Sequence, residues 1–413
     1  MKKKRIIIYL GLAFFILLIS LPLIYFSNQK ITANNAAVFN NFGKTLAVFT
    51  NDTQVSSFPA KESGFHFVEV TCDNGSTGIW DETNWQLKMT YQGPDQCQIH
   101  FSDQALLFSG DISKTEADNV SFSYYADGSL IITGAGAIRD FDDEGSIIFA
   151  LFSQYLEYDT AFAESITEDE YAVMGSEEAT FLMPVVSGSY EPMINVLNVI
   201  YELSVPSVDN YDDYISVLQT NEIVTDPNLF SLAAKIHDTF PGVKDVKIAE
   251  GVTALGRLTL SSLGEVSEVI LPSTLVTIGI EATNLSTAKY NLSKCHNLTS
   301  IGQGAFSWNI TDQLIWPEEP QITTISNETF LGFKSPNLVI PNSVTTIDSG
   351  AFVISDITNL VLPTNASFTT INSGILANNK NTTNVIIPTN VTTISNDAFA
   401  SANINLKFKG PER

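Results

Sequence analysis

Residues that commonly perform catalysis or bind metals are scarce in this sequence. Its 413 residues include only 3 cysteines, 4 histidines and 5 methionines. His66, His100, His237 and His296 lie far apart along the chain, and no His-Glu-x-x-His or Gly-x-Ser-x-Gly motif occurs. We therefore expect no catalytic residue, no metal site and no cofactor.

Basic residues are also few. The chain has 21 Lys and Arg against 45 Asp and Glu, which gives a formal net charge of −24. Nucleic-acid binding requires clustered basic residues that contact phosphates, so this charge argues against nucleic acid as a partner. The segment from Asp140 to Gly242 holds 20 of the acidic residues and a single basic one, Lys235. We interpret its charge as a solvated face that keeps the protein soluble.

One hydrophobic run is long enough to cross a membrane. Residues 1–5 form a basic tail, and the following residues 6–26 are uncharged over 21 positions. A helix needs about 20 apolar residues to span a bilayer, and a basic flank stays in the cytoplasm. We favour an uncleaved signal anchor, which makes the protein a single-pass protein of the cell membrane with its bulk outside. A cleaved signal, which would leave the protein secreted, and a buried core helix are the alternatives.

The few cysteines allow one disulfide. An extracellular location permits such a bond, and Cys72 and Cys97 are the candidate pair, with Cys295 left over. A bridge that closes a loop of about 25 residues contributes about 3 kcal/mol through the unfolded state. Two buried thiols are the alternative reading.

The chain before the repeats divides into four parts by composition. Residues 27–55 are polar and predict a linker. Residues 56–102 alternate apolar and polar side chains, which predicts a small β-module that carries the cysteine pair. Residues 103–139 continue as strands, and we expect this β segment to open the repeat domain. Residues 140–242 place apolar residues at spacings of three and four, and we expect three or four helices there.

A phrase ending in Ile or Leu recurs through the last part of the chain, residues 243–413. The successive gaps are 23, 23, 24, 22, 24 and 23 residues. This period is typical of a solenoid, in which each coil buries its apolar face against its neighbours. The repeated residues are Leu255, Ile278, Ile301, Ile325, Ile347, Ile371 and Ile394.

Two further positions recur within the same period. A short aliphatic run precedes each phrase, and a proline ends the run in five of the seven repeats. Proline cannot donate to a strand ladder, so we expect each strand to end there. A small-then-large pair follows, and its large residue is predicted to fill a narrow interior. The prolines are Pro272, Pro317, Pro341, Pro363 and Pro388, and the large residues include Phe306, Phe330, Phe352 and Phe399.

The repeated pattern, Leu-Pro, then Thr-Ile, then Gly-Ala-Phe, then Leu-x-Ile-x-Pro, resembles the BspA-like leucine-rich repeats of bacterial surface proteins. The resemblance covers about residues 246–409, and the strand "DGSLIITGAGAI" (Asp127–Ile138) is similar to the strand that often opens such domains. The resemblance implies extracellular interaction with a protein or host surface and no catalysis.

The sequence thus predicts a mainly β protein with an α-helical insert, in which an N-terminal transmembrane helix and a small β-module precede a leucine-rich-repeat solenoid. The coils have about 23 residues each and short parallel strands. We expect a non-catalytic adhesion protein whose solenoid binds an extracellular protein or host-surface macromolecule at the variable positions between the repeated phrases. The module and the acidic segment would act as stalk and spacer. The alternatives are a glycan-binding module that uses its tryptophans, or a structural surface spacer without a specific ligand.

Overall fold

The computed structural model describes residues 106–141, 146–381 and 383–409, together with the backbone of five strands between residues 45 and 102. The predicted basic tail, transmembrane helix and most of the predicted linker lie outside these residues. Within the described ranges, none of the helices combines the length and the apolar character needed to span a bilayer.

In the described part of the chain, eight strands precede the helical segment. Two of them form a hairpin, β3 with β4, and three form a sheet in the order β1-β5-β2. The strands are β1 (Thr45–Phe49), β2 (His66–Cys72), β3 (Thr77–Asp81), β4 (Gln86–Thr90), β5 (Cys97–Ser102), β6 (Leu106–Asp111), β7 (Asn119–Tyr125) and β8 (Ser129–Ala137).

The acidic segment is helical, but the expected number of helices is wrong. Its described residues form seven α-helices and a 3-10 helix, because polar and glycine residues break the apolar periodicity. Asp159 ends one helix and caps the next by accepting from the Phe162 amide, and Gly188 ends another with φ 70°. The helices are α1 (Ile147–Tyr158), α2 (Thr160–Ser165), α3 (Glu168–Met174), α4 (Met183–Ser187), α5 (Tyr190–Ile200), α6 (Tyr211–Thr220) and α7 (Pro227–Thr239), with the 3-10 helix at Glu177–Leu182.

The remaining chain is a β-solenoid of about seven turns, which confirms the predicted repeat architecture. From β15 onward two-residue strands alternate along the chain with longer strands, and equivalent strands of neighbouring coils pair in parallel. The strands are β9 (Asp245–Ile248), β10 (Val252–Leu255), β11 (Glu268–Ile270), β12 (Thr277–Ile278), β13 (Lys289–Asn291), β14 (Ser300–Ile301), β15 (Thr324–Ile325), β16 (Lys334–Val339), β17 (Thr346–Ile347), β18 (Asp356–Val361), β19 (Thr370–Ile371), β20 (Thr383–Ile387), β21 (Thr393–Ile394) and β22 (Ile404–Phe408).

The solenoid begins before residue 243. Strand β8 pairs in parallel with β9 through Leu130 and Val246, and with β10 through Ala137 and Ala254. It is therefore the first layer of the stack, and the antiparallel strands β7 and β6 extend the same sheet outward. The helical segment is inserted between two strands that are neighbours in this sheet.

The helical insert packs against the solenoid and does not act as a spacer. Buried residues of the insert and of the solenoid belong to one continuous hydrophobic core. The backbones approach so closely that a side chain at Gly264 would lie 2.0 Å from the Gly188 carbonyl carbon. The Lys334 ammonium also lies 3.0 Å from a Glu191 carboxylate oxygen. The insert and the repeats are therefore one packed body.

The repeated apolar residues form inward columns. Of the seven phrase-ending residues, the first six are buried, and Ile394 in the last coil is partly buried. The rings of Phe306 and Phe330 stack at 5.7 Å between centroids, and those of Phe330 and Phe352 at 5.4 Å. Phe399 is partly buried. The stacked rings explain why a large residue recurs at this position.

A tight turn brings each large residue inward. In three of the coils the turn starts at a glycine with positive φ, which is Gly304 (65°), Gly350 (74°) or Gly374 (61°). Glycine adopts this conformation without steric cost, whereas Glu281 and Glu328 adopt it in other coils with a side chain.

The five repeat prolines are buried, and four of them follow the end of a strand, whereas Pro317 follows the isolated bridge residue Ile315. Strands β16 and β18 end before Pro341 and Pro363, and β20 ends at the residue before Pro388. In three coils the proline carbonyl accepts from the amide three residues later, which closes a turn. These bonds join Pro272 to Leu275, Pro341 to Val344 and Pro388 to Val391 at 3.1–3.2 Å.

The backbone register places Cys72 directly opposite Cys97 on β2 and β5. Opposed residues of antiparallel strands have Cα atoms about 4.5–5.5 Å apart, which suits a disulfide. We predict that peptide mapping without reductant recovers these two residues as one linked peptide, with Cys295 free. Alkylation of all three cysteines in unreduced, denatured protein would contradict the prediction. Replacing the pair with serine should cost the β-module about 3 kcal/mol.

A buried carboxylate joins α3 to α7. Burial alone would raise the pKa of Glu170, but hydrogen bonds from Lys235 (2.6 Å), Ser231 (2.6 Å) and Thr167 outweigh it and lower the pKa to about 2. Because the folded pKa is below the ordinary value of 4.5, the stabilisation is complete above about pH 4.5 and is lost as the pH falls toward 2.

We predict that Glu170→Gln lowers the free energy of unfolding by about 3 kcal/mol at neutral pH, since Lys235 loses its buried partner. The difference from the wild type should shrink toward pH 2, as measured by urea denaturation across this range. Glu168→Gln, at an exposed site on the same helix, is the control and should change the free energy by less than about 0.5 kcal/mol. An equal loss at both ends of the pH range would contradict the assigned ionisation.

Candidate interaction surface

The outward face of the sheet formed by β16, β18, β20 and β22 is the candidate functional site. In the first three of these strands a central buried residue, Leu338, Leu360 or Val385, points into the core. Side chains alternate across a strand, so the residues on either side of it point outward. Because the coils stack in register, each outward position becomes a column that runs along the solenoid.

The first outward column is a ladder of asparagines. The Asn359 amide nitrogen donates to the Asn337 side-chain oxygen at 2.9 Å, Asn384 donates to Asn359 at 3.1 Å, and Asn405 donates to Asn384 at 2.8 Å. These bonds connect four coils. The ladder therefore reinforces the register of the sheet from its solvent side.

The ladder offers mainly acceptors to a ligand. Asn359 also donates to the Pro336 carbonyl at 3.3 Å, and Asn384 donates to the Thr358 carbonyl at 3.1 Å. An asparagine amide has two N–H donors and one oxygen with two lone pairs. Both donors of these two middle residues are therefore used within the stack, and their oxygens retain acceptor capacity.

The second outward column is apolar. Val339 pairs in register with Val361, and Val361 with Ile386. Their residues are 52%, 44% and 51% exposed, so three adjacent coils present aliphatic side chains to solvent. Large contiguous apolar patches on soluble proteins mark interaction sites. We call these three residues the apolar stripe, and Lys407 follows them in β22.

The surface is nearly uncharged. Of the eight positions in the two columns, Lys407 alone carries a charge, although the chain as a whole has a net charge of −24. A protein interface has a core depleted in charge, and the two columns satisfy that condition.

The tryptophans do not form an open platform in the described part of the chain. The Trp316 indole nitrogen donates to the Val339 carbonyl at 2.8 Å, and the ring is partly buried against the core. The Trp308 ring covers Gly332, where an added side chain would lie 2.4 Å from it. Trp85 and the side chain of Trp80 lie outside the described residues.

Cys295 and His237 occupy structural positions. The Cys295 thiol is fully buried and donates weakly to the Leu271 and Pro272 carbonyls at 3.5–3.6 Å. Burial raises the pKa of this thiol to about 12, and Glu250 adds to the shift, so a reactive thiolate is not formed. The His237 ring stacks on Tyr211 at 4.2 Å. Among the described residues, no three metal-binding side chains cluster.

The candidate surface differs from the positions expected from the sequence. We expected binding at the variable positions between the repeated phrases, such as "DSG" at 348–350. The two columns instead lie within the strands that precede the prolines. The signal is visible in the sequence, since Asn337, Asn359, Asn384 and Asn405 recur at gaps of 22, 25 and 21 residues with an aliphatic residue after each.

The stack of short parallel strands with an inward column of phrase-ending residues defines a leucine-rich-repeat solenoid. The sequence profile of the family described as "BspA type Leucine rich repeat region (6 copies)" matches residues 216–319 and 299–411. Residues 216–411 of the chain therefore carry leucine-rich repeats of the BspA type, which confirms the resemblance seen in the repeats. Such repeats form protein-interaction modules, and the matches indicate no catalytic family.

Two solved structures are similar to parts of the chain. A leucine-rich repeat protein from Bacteroides ovatus ATCC 8483 has 20% identity and a TM-score of 0.28, and the match covers 37% of this chain and 45% of that one. A leucine-rich repeat protein from Eubacterium ventriosum ATCC 27560 has 16% identity and a TM-score of 0.32, with 73% of each chain covered. The first match spans less than half of the Bacteroides ovatus protein. Comparison with curated protein sequences finds no match.

Proposed function

We propose that this protein is a membrane-anchored extracellular adhesion protein that binds a protein partner through the surface formed by the asparagine ladder and the apolar stripe. The observation that carries the proposal is the exposure of Val339, Val361 and Ile386 in register on a nearly uncharged face. The repeats support a protein-interaction role in general. The basic tail and hydrophobic run at residues 1–26 support attachment to the cell membrane.

The chemistry of the surface favours a protein over a glycan. Burying three aliphatic side chains that are about half exposed contributes about 1 kcal/mol each, because roughly 25 cal/mol is gained for each Å² removed from water. A protein partner can supply apolar side chains that fill such a stripe. No open aromatic ring from the described tryptophans accompanies it.

The negative charge of the rest of the molecule limits the choice of partner. Like charges repel an anionic surface, whereas a cationic or neutral partner is not repelled. The acidic helical insert packs beside the solenoid through Glu191 and Lys334, so its field also acts near the repeats. We expect the partner to be neutral or basic where it meets this protein.

The test is binding of the full chain to a panel of extracellular-matrix and host cell-surface proteins, measured by biolayer interferometry. A genuine partner should bind the Val361→Lys variant at least about tenfold more weakly than the wild type, because the new charge would have to be buried. Val276→Lys is the matched control, since Val276 is 39% exposed and precedes β12 in a different sheet. Binding that is equally strong in both variants would place the interaction elsewhere and contradict the proposed surface.

A further inference from the structure

The spacing of the apolar stripe restricts the shape of the partner, and this inference rests on the proposed function. Neighbouring strands of a sheet lie about 4.8 Å apart, so the three side chains of the stripe follow one another at about that interval along the solenoid. A partner that runs along the stripe has to present apolar side chains at a similar interval.

The two regular secondary structures differ in this respect. An α-helix presents one residue per turn on one side, at about 5.4 Å, whereas an extended strand presents alternate residues at about 6.7 Å. Across the two intervals from Val339 to Ile386, a helix accumulates an offset of about 1.2 Å and a strand about 3.8 Å. Only the helix keeps each apolar side chain within contact of its counterpart.

The asparagine ladder restricts the chemistry of the helix. The middle rungs, Asn359 and Asn384, have both amide donors bonded within the stack, so they present acceptor oxygens. A side chain that lies over them has to donate, and the net charge of −24 favours a donor with positive charge. Arginine and lysine meet both conditions, whereas glutamate meets neither.

We propose that this surface binds a basic amphipathic α-helix of a partner protein. The helix lies along the solenoid with one apolar residue per turn on the apolar stripe and with Arg or Lys over the asparagine ladder. Lys407 follows the stripe at one end and is exposed. The C-terminal end of a helix carries partial negative charge, so the helix is oriented with that end toward Lys407.

A second copy of this protein fits the surface less well. Face-to-face association would oppose one ladder to the other, and the acceptor oxygens of the middle rungs would then lack donors. It would also bring together two chains that each carry a net charge of −24. Burying unsatisfied acceptors is unfavourable, so self-association is not the use of this face.

The probe for the test is a labelled synthetic peptide of about 18 residues, which makes about five helical turns. It carries one leucine per turn, arginine on one flank of the leucines and alanine elsewhere. Two control peptides replace the arginines with glutamate or place two prolines at the centre. Binding to the full chain is followed by fluorescence anisotropy at low and at physiological salt.

We expect the arginine peptide to bind the wild type, and both control peptides to bind at least about tenfold more weakly. Val361→Lys should lower the affinity for the arginine peptide by at least about tenfold. Ile386→Gln, which adds no charge, should lower it by about threefold or more. Val276→Lys should stay within about twofold of the wild type. Thermal unfolding confirms that each variant is folded.

Two results would overturn the inference. The first is that the arginine peptide fails to bind, or binds no better than the proline peptide. A basic helix is then not the ligand. If a partner protein or a neutral oligosaccharide still binds in a manner sensitive to Val361→Lys, the proposed surface stands without the helix. If the arginine peptide binds equally to Val361→Lys and to the wild type, the peptide uses another site and the inference is wrong.

Discussion

Stacking in register is the constraint on which the rest of the structure depends. Each coil places a given position over the same position of its neighbour, so an inward position has to hold an apolar side chain of suitable size in several successive coils. The rings of Phe306, Phe330 and Phe352 satisfy this requirement. The same register brings outward residues together, and it allows Asn359 to bond Asn337 and Val361 to lie beside Val339. Core and candidate surface thus have one physical origin.

The helical insert extends this principle to a part of the chain without repeats. It interrupts the first layer of the stack between β8 and β9 and covers one side of the solenoid with its apolar residues. Its acidic residues mostly face water, where their charge costs little. Among the described acidic residues of the insert Glu170 is buried, and Lys235, the single Lys or Arg that the sequence has between Asp140 and Gly242, is its partner. The insert, whose net charge is −19 from 20 acidic residues and one basic residue, can therefore share a core with the repeats.

The features that could be predicted from the sequence are those that repeat. The phrase-ending column from Leu255 to Ile394 was readable because every coil restates it at 22–24 residues. The pairing of Leu130 with Val246 was not readable, because more than 100 residues separate the strands and a single pair carries no period. The asparagine ladder could not be predicted for another reason. Its asparagines recur at irregular gaps of 22, 25 and 21 residues, and polar residues are common on a repeat surface, so only the strand register shows that they bond to one another.

The shared core of insert and solenoid is tested most directly by native-state hydrogen exchange on Phe330→Ala. Phe330 is fully buried in the column, and removal of a buried ring costs about 3–5 kcal/mol. The opening free energies of peptides from α5 (Tyr190–Ile200) and from β16 (Lys334–Val339) should fall together by comparable amounts, since both elements pack on one core. Faster exchange in β16 with no change in α5 would contradict a single core and would make the insert an independent unit.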